Sequence, residues 1–167
     1  MNRTKTFLAL ALFFAIGQTA NNSLAQDNTM SIVGSYELVS RILPDSTVIE
    51  SPAIVGFFTY TETHRNFNVS WTDKDGKRVS ISAISEYTLN GNEYTEKNIY
   101  YMMYDESAEE PITFDFSDQS ATSKVTKDQG GIRFKMPLHD EPEVFFSGDK
   151  LVATMPGVFE DHWKKVK

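Results

Sequence analysis

Turn signals punctuate this chain at hairpin spacing. Pro44-Asp45-Ser46, Ser51-Pro52, Asp73-Lys74-Asp75-Gly76, Asn90-Gly91, Gly130-Gly131, Ser147-Gly148-Asp149 and Pro156-Gly157 each combine Gly, Pro, Asn or Asp. Such residues accept positive or fixed φ at little cost, so a chain reverses there. Asn90-Gly91 is the strongest and predicts a type I′ turn, which needs positive φ at both central positions. Between the signals lie short runs rich in Val, Ile, Thr, Tyr and Phe, residues that suit a pleated, half-buried surface. No segment after Ala25 carries a helical period. Asp105 to Glu110 could form one turn before Pro111 stops it, and reads as an exposed acidic loop.

Several runs alternate with period two. Val79, Ile81, Ala83, Ser85, Tyr87 and Leu89 fall on one face, with Arg78, Ser80, Ser82, Glu86 and Thr88 on the other. Phe67, Val69 and Trp71 share a face opposite Asn66, Asn68, Ser70 and Thr72. One covered and one wet face is the pattern of an antiparallel sheet. The pattern predicts about eight to ten strands, drawn from 32–43, 54–61, 65–72, 78–89, 92–104, 112–116, 121–127, 131–136, 143–147, 150–155 and 158–165, with some merging. Sequential short strands joined by tight turns close most simply into an all-β, antiparallel up-and-down barrel, which removes exposed edges. A two-sheet sandwich is the alternative.

Composition narrows the function classes. The chain has no cysteine, so disulfides, Cys-ligated metals and a thiol nucleophile are excluded. Its 23 acidic and 16 basic side chains leave a net charge of −7, the wrong sign for a nucleic-acid binder. A 40% hydrophobic and 13% aromatic content is too rich for a disordered chain. Residues 1–25 read as a cleavable signal peptide: Arg3 and Lys5, the apolar run Phe7 to Gly17, then Ser23-Leu24-Ala25. Eleven apolar residues rise about 16 Å as a helix, short of a roughly 30 Å bilayer core, so no stable membrane anchor is expected after cleavage. The expected product is exported, periplasmic or secreted. It comprises a short segment 26–30 and one domain over 31–167, with a net charge of −9.

The order of features resembles the bacterial lipocalin-like domain family. Ile32-Val33-Gly34-Ser35-Tyr36-Glu37-Leu38-Val39-Ser40 is similar to the opening Gly-x-Trp strand of such barrels, with Tyr36 in the place of Trp. Gly56 to Thr61 and Arg65 to Trp71 look like the second and third strands, and the hairpin across Asn90-Gly91 fits the middle of the barrel. Val158 to Lys165 has the aromatic-then-basic ending of the last strand, which packs near the first. The resemblance implies a small barrel with an internal cavity and no fixed ligand.

Eight or so strands enclose room for side chains or for one small ligand. The candidate wall residues are Tyr36, Phe58, Tyr60, Phe67, Trp71, Tyr87, Tyr100, Phe114, Phe134 and Trp163. They either line a cavity or fill a dry core. In Tyr100-Tyr101-Met102-Met103 both registers are equally apolar, and a one-residue slip exchanges the faces. Glu96 and Arg133 lie mid-strand between apolar neighbours; either one, if turned inward, needs a partner or a polar ligand group. Glu86 and Glu96 could face each other across the hairpin. His64 belongs to a hairpin tip, and His139-Asp140-Glu141 with Glu143 reads as a Pro-flanked surface loop. Asp161-His162 point to opposite faces of a strand and make a poor chelate.

No hydrolase, zinc-protease, Walker or dinucleotide motif is present, and no cofactor or metal is implied. The expected function is non-covalent binding of a small hydrophobic or amphipathic molecule inside the barrel. The alternatives are a barrel-fold enzyme of isomerase or hydratase type on a lipid-like substrate, marked by a buried ionisable group with a shifted pKa, and a cell-envelope interaction module with a filled core and an exposed apolar patch.

Overall fold

The computed structural model describes residues 31–128 and 130–167. The expected signal peptide and segment 26–30 lie outside these residues. The first six strands are β1 (Gly34–Ile42), β2 (Val48–Glu50), β3 (Ile54–Tyr60), β4 (His64–Thr72), β5 (Arg78–Asn90) and β6 (Glu93–Asp105). Then come β7 (Ile112–Asp115), β8 (Ser120–Lys124), β9 (Thr126–Asp128), β10 (Gly131–Lys135), β11 (Glu143–Ser147), β12 (Lys150–Met155) and β13 (Phe159–Lys165). The described residues contain no helix, and hence none long and apolar enough to cross a membrane.

All pairings are antiparallel, in the order β7-β6-β5-β4-β3-β1-β13-β12-β11-β10-β9. The sheet curls into a barrel-like wall. Two meanders, β3 to β6 and β9 to β13, are joined where β1 lies between β3 and β13. The other junction is made by one stretch of chain. Ser120–Lys124 pairs with β6, Thr126–Asp128 pairs with β10, and the buried Val125 between them donates its N–H to the Asn92 carbonyl at 2.7 Å. There are thirteen strands where eight to ten were expected. Beyond the expected ranges, the additions are the short β2 and the division of one expected strand into β8 and β9 around Val125, and the other expected strands stay separate rather than merging.

Two β-bulges decide which side chains face inward. In β6 the register shifts so that Ser85 pairs with Asn98 but Ile84 pairs with Tyr100, leaving Ile99 unopposed. Tyr94, Glu96 and Asn98 therefore point in before the bulge, and Tyr101 points in after it. In β1, Leu38 pairs with Trp163 and Ser40 with His162, so Val39 is the extra residue. The parity flips and sends Arg41 inward, opposite Asp161. A bulge re-aims every side chain beyond it. The Asn90 turn also differs from expectation. Asn90 pairs with Glu93, so Gly91 and Asn92 are central, and only Gly91 has positive φ, at 59°. This is the type II′ pattern rather than I′.

One end of the interior is packed with rings. Tyr60 meets Tyr87 at 5.2 Å and Phe146 at 5.5 Å, Tyr94 stacks on Phe134 at 4.2 Å, and Tyr36 meets Phe146 edge-on at 5.7 Å. Tyr36, Tyr60, Tyr94 and Phe134 are all within 1% of complete burial. Such offset and edge contacts add about 0.5–1.5 kcal/mol per pair beyond area burial. Burial also pushes the Tyr36 hydroxyl up to about 12, with the nearby Asp149 carboxylate adding to it.

Gly56 lets β3 approach Trp163. A Cβ there would stand 2.6 Å from Trp163 Cη2 and 3.2 Å from the Asn68 carbonyl oxygen. Gly56→Ala should therefore destabilise the protein by about 1–3 kcal/mol through overpacking, read as a lower midpoint in urea unfolding.

Candidate functional site

Beside the packed rings sits a buried ionic cluster. Arg65 lies on β4 with the parity of Phe67, Val69 and Trp71, and its side chain is wholly inaccessible. Its Nε donates to Glu96 Oε1 at 2.6 Å, and its Nη2 donates to both Glu141 oxygens at 2.8 and 2.6 Å. Nη1 contacts Met136 Sδ at 3.7 Å, and the Tyr94 hydroxyl donates to Glu96 Oε2 at 3.2 Å. One guanidinium thus serves two carboxylates, all three of them buried from solvent.

Glu96 comes from β6, but Glu141 comes from the connection between β10 and β11. That connection folds back on itself: Met136 N–H donates to Pro142 O at 3.1 Å and Glu141 N–H to Leu138 O at 3.0 Å. His139 and Asp140 adopt positive φ, 52° and 51°, a region that His and Asp enter more readily than most residues. The turn drives Glu141 into the interior. This corrects the expected surface loop, since Glu141 is 7% exposed. Burial pushes the Glu141 carboxyl above its ordinary range, and Arg65 only partly offsets it. Burial opposes the Arg65 charge as well, but Glu141 and Glu96 outweigh it and hold that charge firmly in place.

A second ion pair joins β1, beyond its bulge, to β13. Arg41 donates Nε to Asp161 Oδ1 at 2.7 Å and Nη2 to Oδ2 at 2.8 Å, a bidentate fork. Its guanidinium is flanked by Trp71 at 4.6 Å and Phe159 at 4.1 Å. Burial raises the Asp161 carboxyl, against the pull of Arg41.

A cavity of about 90 Å³ lies between the two ionic groups. Its aromatic lining is Phe58, Phe67, Trp71, Tyr101, Phe159 and Trp163, and its polar lining is Arg41, Asp161, His139, Asp140 and Glu141. His139 stacks flat on Tyr101 at 4.0 Å and places Nε2 2.9 Å from Asp115 Oδ2. The Asp115 carboxyl is lowered to about 2, chiefly by hydrogen bonds from Ser117 and next by His139. Two buried polar atoms of the lining residues, Trp163 Nε1 and His139 Nδ1, have no partner.

The expected interior residues divide four ways. Phe58, Phe67, Trp71 and Trp163 line the cavity. Tyr36, Tyr60, Tyr87 and Phe134 fill the packed end, and Glu96 joins the ionic cluster. Tyr100, Phe114 and Arg133 are outside, which corrects their placement in the interior. The β6 bulge turns Tyr100 outward against Phe116 at 5.6 Å, and Phe114 is 53% exposed because it pairs with the outward Met102. Arg133 pairs with Glu143 at 2.9 Å on the outer face. Glu86 faces Lys97, not Glu96, across the hairpin. Asp161 and His162 do split between faces: Asp161 turns in, and His162 lies 2.7 Å from Glu160. Sequence reasoning missed Arg41, Arg65, Tyr101 and Glu141. The signal that could have found Arg65 is parity, since it shares the covered face of β4 with Phe67, Val69 and Trp71. Among the described residues no group of three or more His, Asp or Glu is placed to hold a metal.

No family model, curated protein or solved structure matches this chain.

Arg65→Met should cost about 3–5 kcal/mol, because it leaves two buried carboxylates without a cation. Adding Glu96→Gln and Glu141→Gln should recover part of that loss in chemical denaturation. The Glu141 shift also carries a pH signature. A carboxyl with a raised folded pKa binds more protons folded than unfolded, so stability falls as pH climbs from the ordinary 4.5 towards the raised value. Thermal melts across that window should show a shallower loss for Glu141→Gln than for wild type.

Proposed function

We propose that this protein is an exported, lipocalin-like binding protein that holds a small amphipathic molecule at the open end of its barrel. The observation that carries the reading is the cavity itself. It combines apolar rings with a few convergent polar groups, the usual composition of a small-molecule site. Its residues come from many elements, from β1, from β3 through β6, and from β12, β13 and the β10–β11 connection.

Size narrows the occupant. A cavity of about 150 Å³ accepts benzene, so 90 Å³ admits a smaller group. The inner end of the ligand is compact, and any longer portion extends past Asp140, the exposed residue at the cavity margin. Arg41, already held by Asp161 and flanked by two rings, orients rather than anchors.

Each alternative also has an observation in its favour. Glu141, a cavity-lining acid with a raised pKa, has the property of a general acid, which favours an enzyme. Exposed Val55, Phe57, Ile112, Phe114 and Phe116 on the outer face of β3 to β7 and the following turn favour an interaction module. Binding accounts for more of the interior and stands as the leading reading.

The chain has two tryptophans, Trp71 and Trp163, and both line the cavity. Titration with small amphipathic probes should shift their emission, and native mass spectra of protein purified from its source should carry an adduct lost on unfolding. A protein that arrives without an adduct, and whose emission no such probe moves, overturns the proposal.

A further inference from the structure

We propose that the occupant of the cavity is a small organic cation, a methylated ammonium head of about four or five heavy atoms. This inference rests on the binding reading above and adds the ligand's charge. It begins from the imbalance of fixed charge. Arg41 and Arg65 are set against four carboxylates: Asp161, Glu96, Glu141 and, at the margin, Asp140. Arg65 is shared by two of them, so with Glu141 ionised its site is one charge short of neutral, and a cation seated beside Glu141 favours that ionised form. The deficit is on the cavity side, because Glu141 lines the cavity whereas Glu96 does not.

The rest of the lining suits the same charge. Aromatic faces carry negative electrostatic potential, and cations placed over them are held best where water is excluded. The molecule already uses this contact internally, with the Arg41 guanidinium lying over Trp71 and Phe159. An anion would meet a surplus of carboxylates, and the one guanidinium it could reach has its fork occupied by Asp161. Trp163, a lining residue 97% buried, has no partner for its Nε1–H, and an oxygen carried near the ammonium is the acceptor the proposal gives it.

Three probes of nearly one shape separate the possibilities: choline, its neutral carbon isostere 3,3-dimethyl-1-butanol, and the anion 3,3-dimethylbutanoate. Binding is read by calorimetry and by tryptophan emission on the intact protein. Choline should bind about tenfold more tightly than the alcohol, the scale of a desolvated cation–π contact, and the carboxylate should bind weakest. Glu141→Gln should narrow the gap between choline and the alcohol. Trp71→Leu, which stays apolar but removes the aromatic face, should also narrow it and serves as the second variant where Glu141→Gln carries a folding defect; melting curves identify such a defect. Equal or tighter binding of the alcohol overturns the cation inference and leaves the binding reading standing, as does preference for the carboxylate. If none of the three binds, the cation inference fails, and the adduct measurement on source-purified protein decides the binding reading separately.

Discussion

Arg65 is the residue on which the interior depends. A guanidinium removed from water costs several kcal/mol unless its donors are met, and here they are met by Glu96 of β6 and Glu141 of the β10–β11 connection. These partners come from distant stretches of sequence. The charge therefore ties three parts of the wall together, and each part must be correctly registered for the cluster to form. The same arrangement divides the interior. On one side the tyrosines and phenylalanines pack ring against ring, and on the other a cavity remains. Replacing the cluster with apolar side chains of equal volume would remove the boundary between the two.

Much of the architecture is legible from the turn residues and the period-two runs, because each of them is a local signal. Strands β3, β4, β5, β6, β10, β11, β12 and β13 fall within a residue or two of their expected bounds. Legibility ends where a local rule is broken by a distant contact. The extra residues at Val39 and Ile99 change the parity of β1 and β6, and nothing in their immediate sequence announces the change. Tyr101 rather than Tyr100, and Arg41 rather than its neighbours, therefore reach the interior. Glu141 was hidden for another reason. It sits in a connection without periodicity, and its burial depends on left-handed backbone at His139 and Asp140.

The two bulges and the turn converge on one place. Arg41, Tyr101 and Glu141 each arrive at the cavity through a departure from regular strand geometry, whereas Phe58, Phe67, Trp71 and Trp163 arrive by simple alternation. Regular pairing supplies the apolar wall, and irregular backbone supplies most of the polar groups. This division is physically reasonable, since an uninterrupted strand places residues by period alone and has no freedom to aim one of them.

The pairing of β1 with β13 also sets the order of assembly. The two meanders contain mostly local contacts and can form as their strands are made, but β1 stays unpaired on one flank until β13 is available. Contacts between distant parts of a chain form slowly because the loop must close first. Until they do, β1 offers an unsatisfied backbone edge beside the exposed Val39. The interval before β13 docks is thus the period in which this chain is most exposed to pairing with another copy of itself.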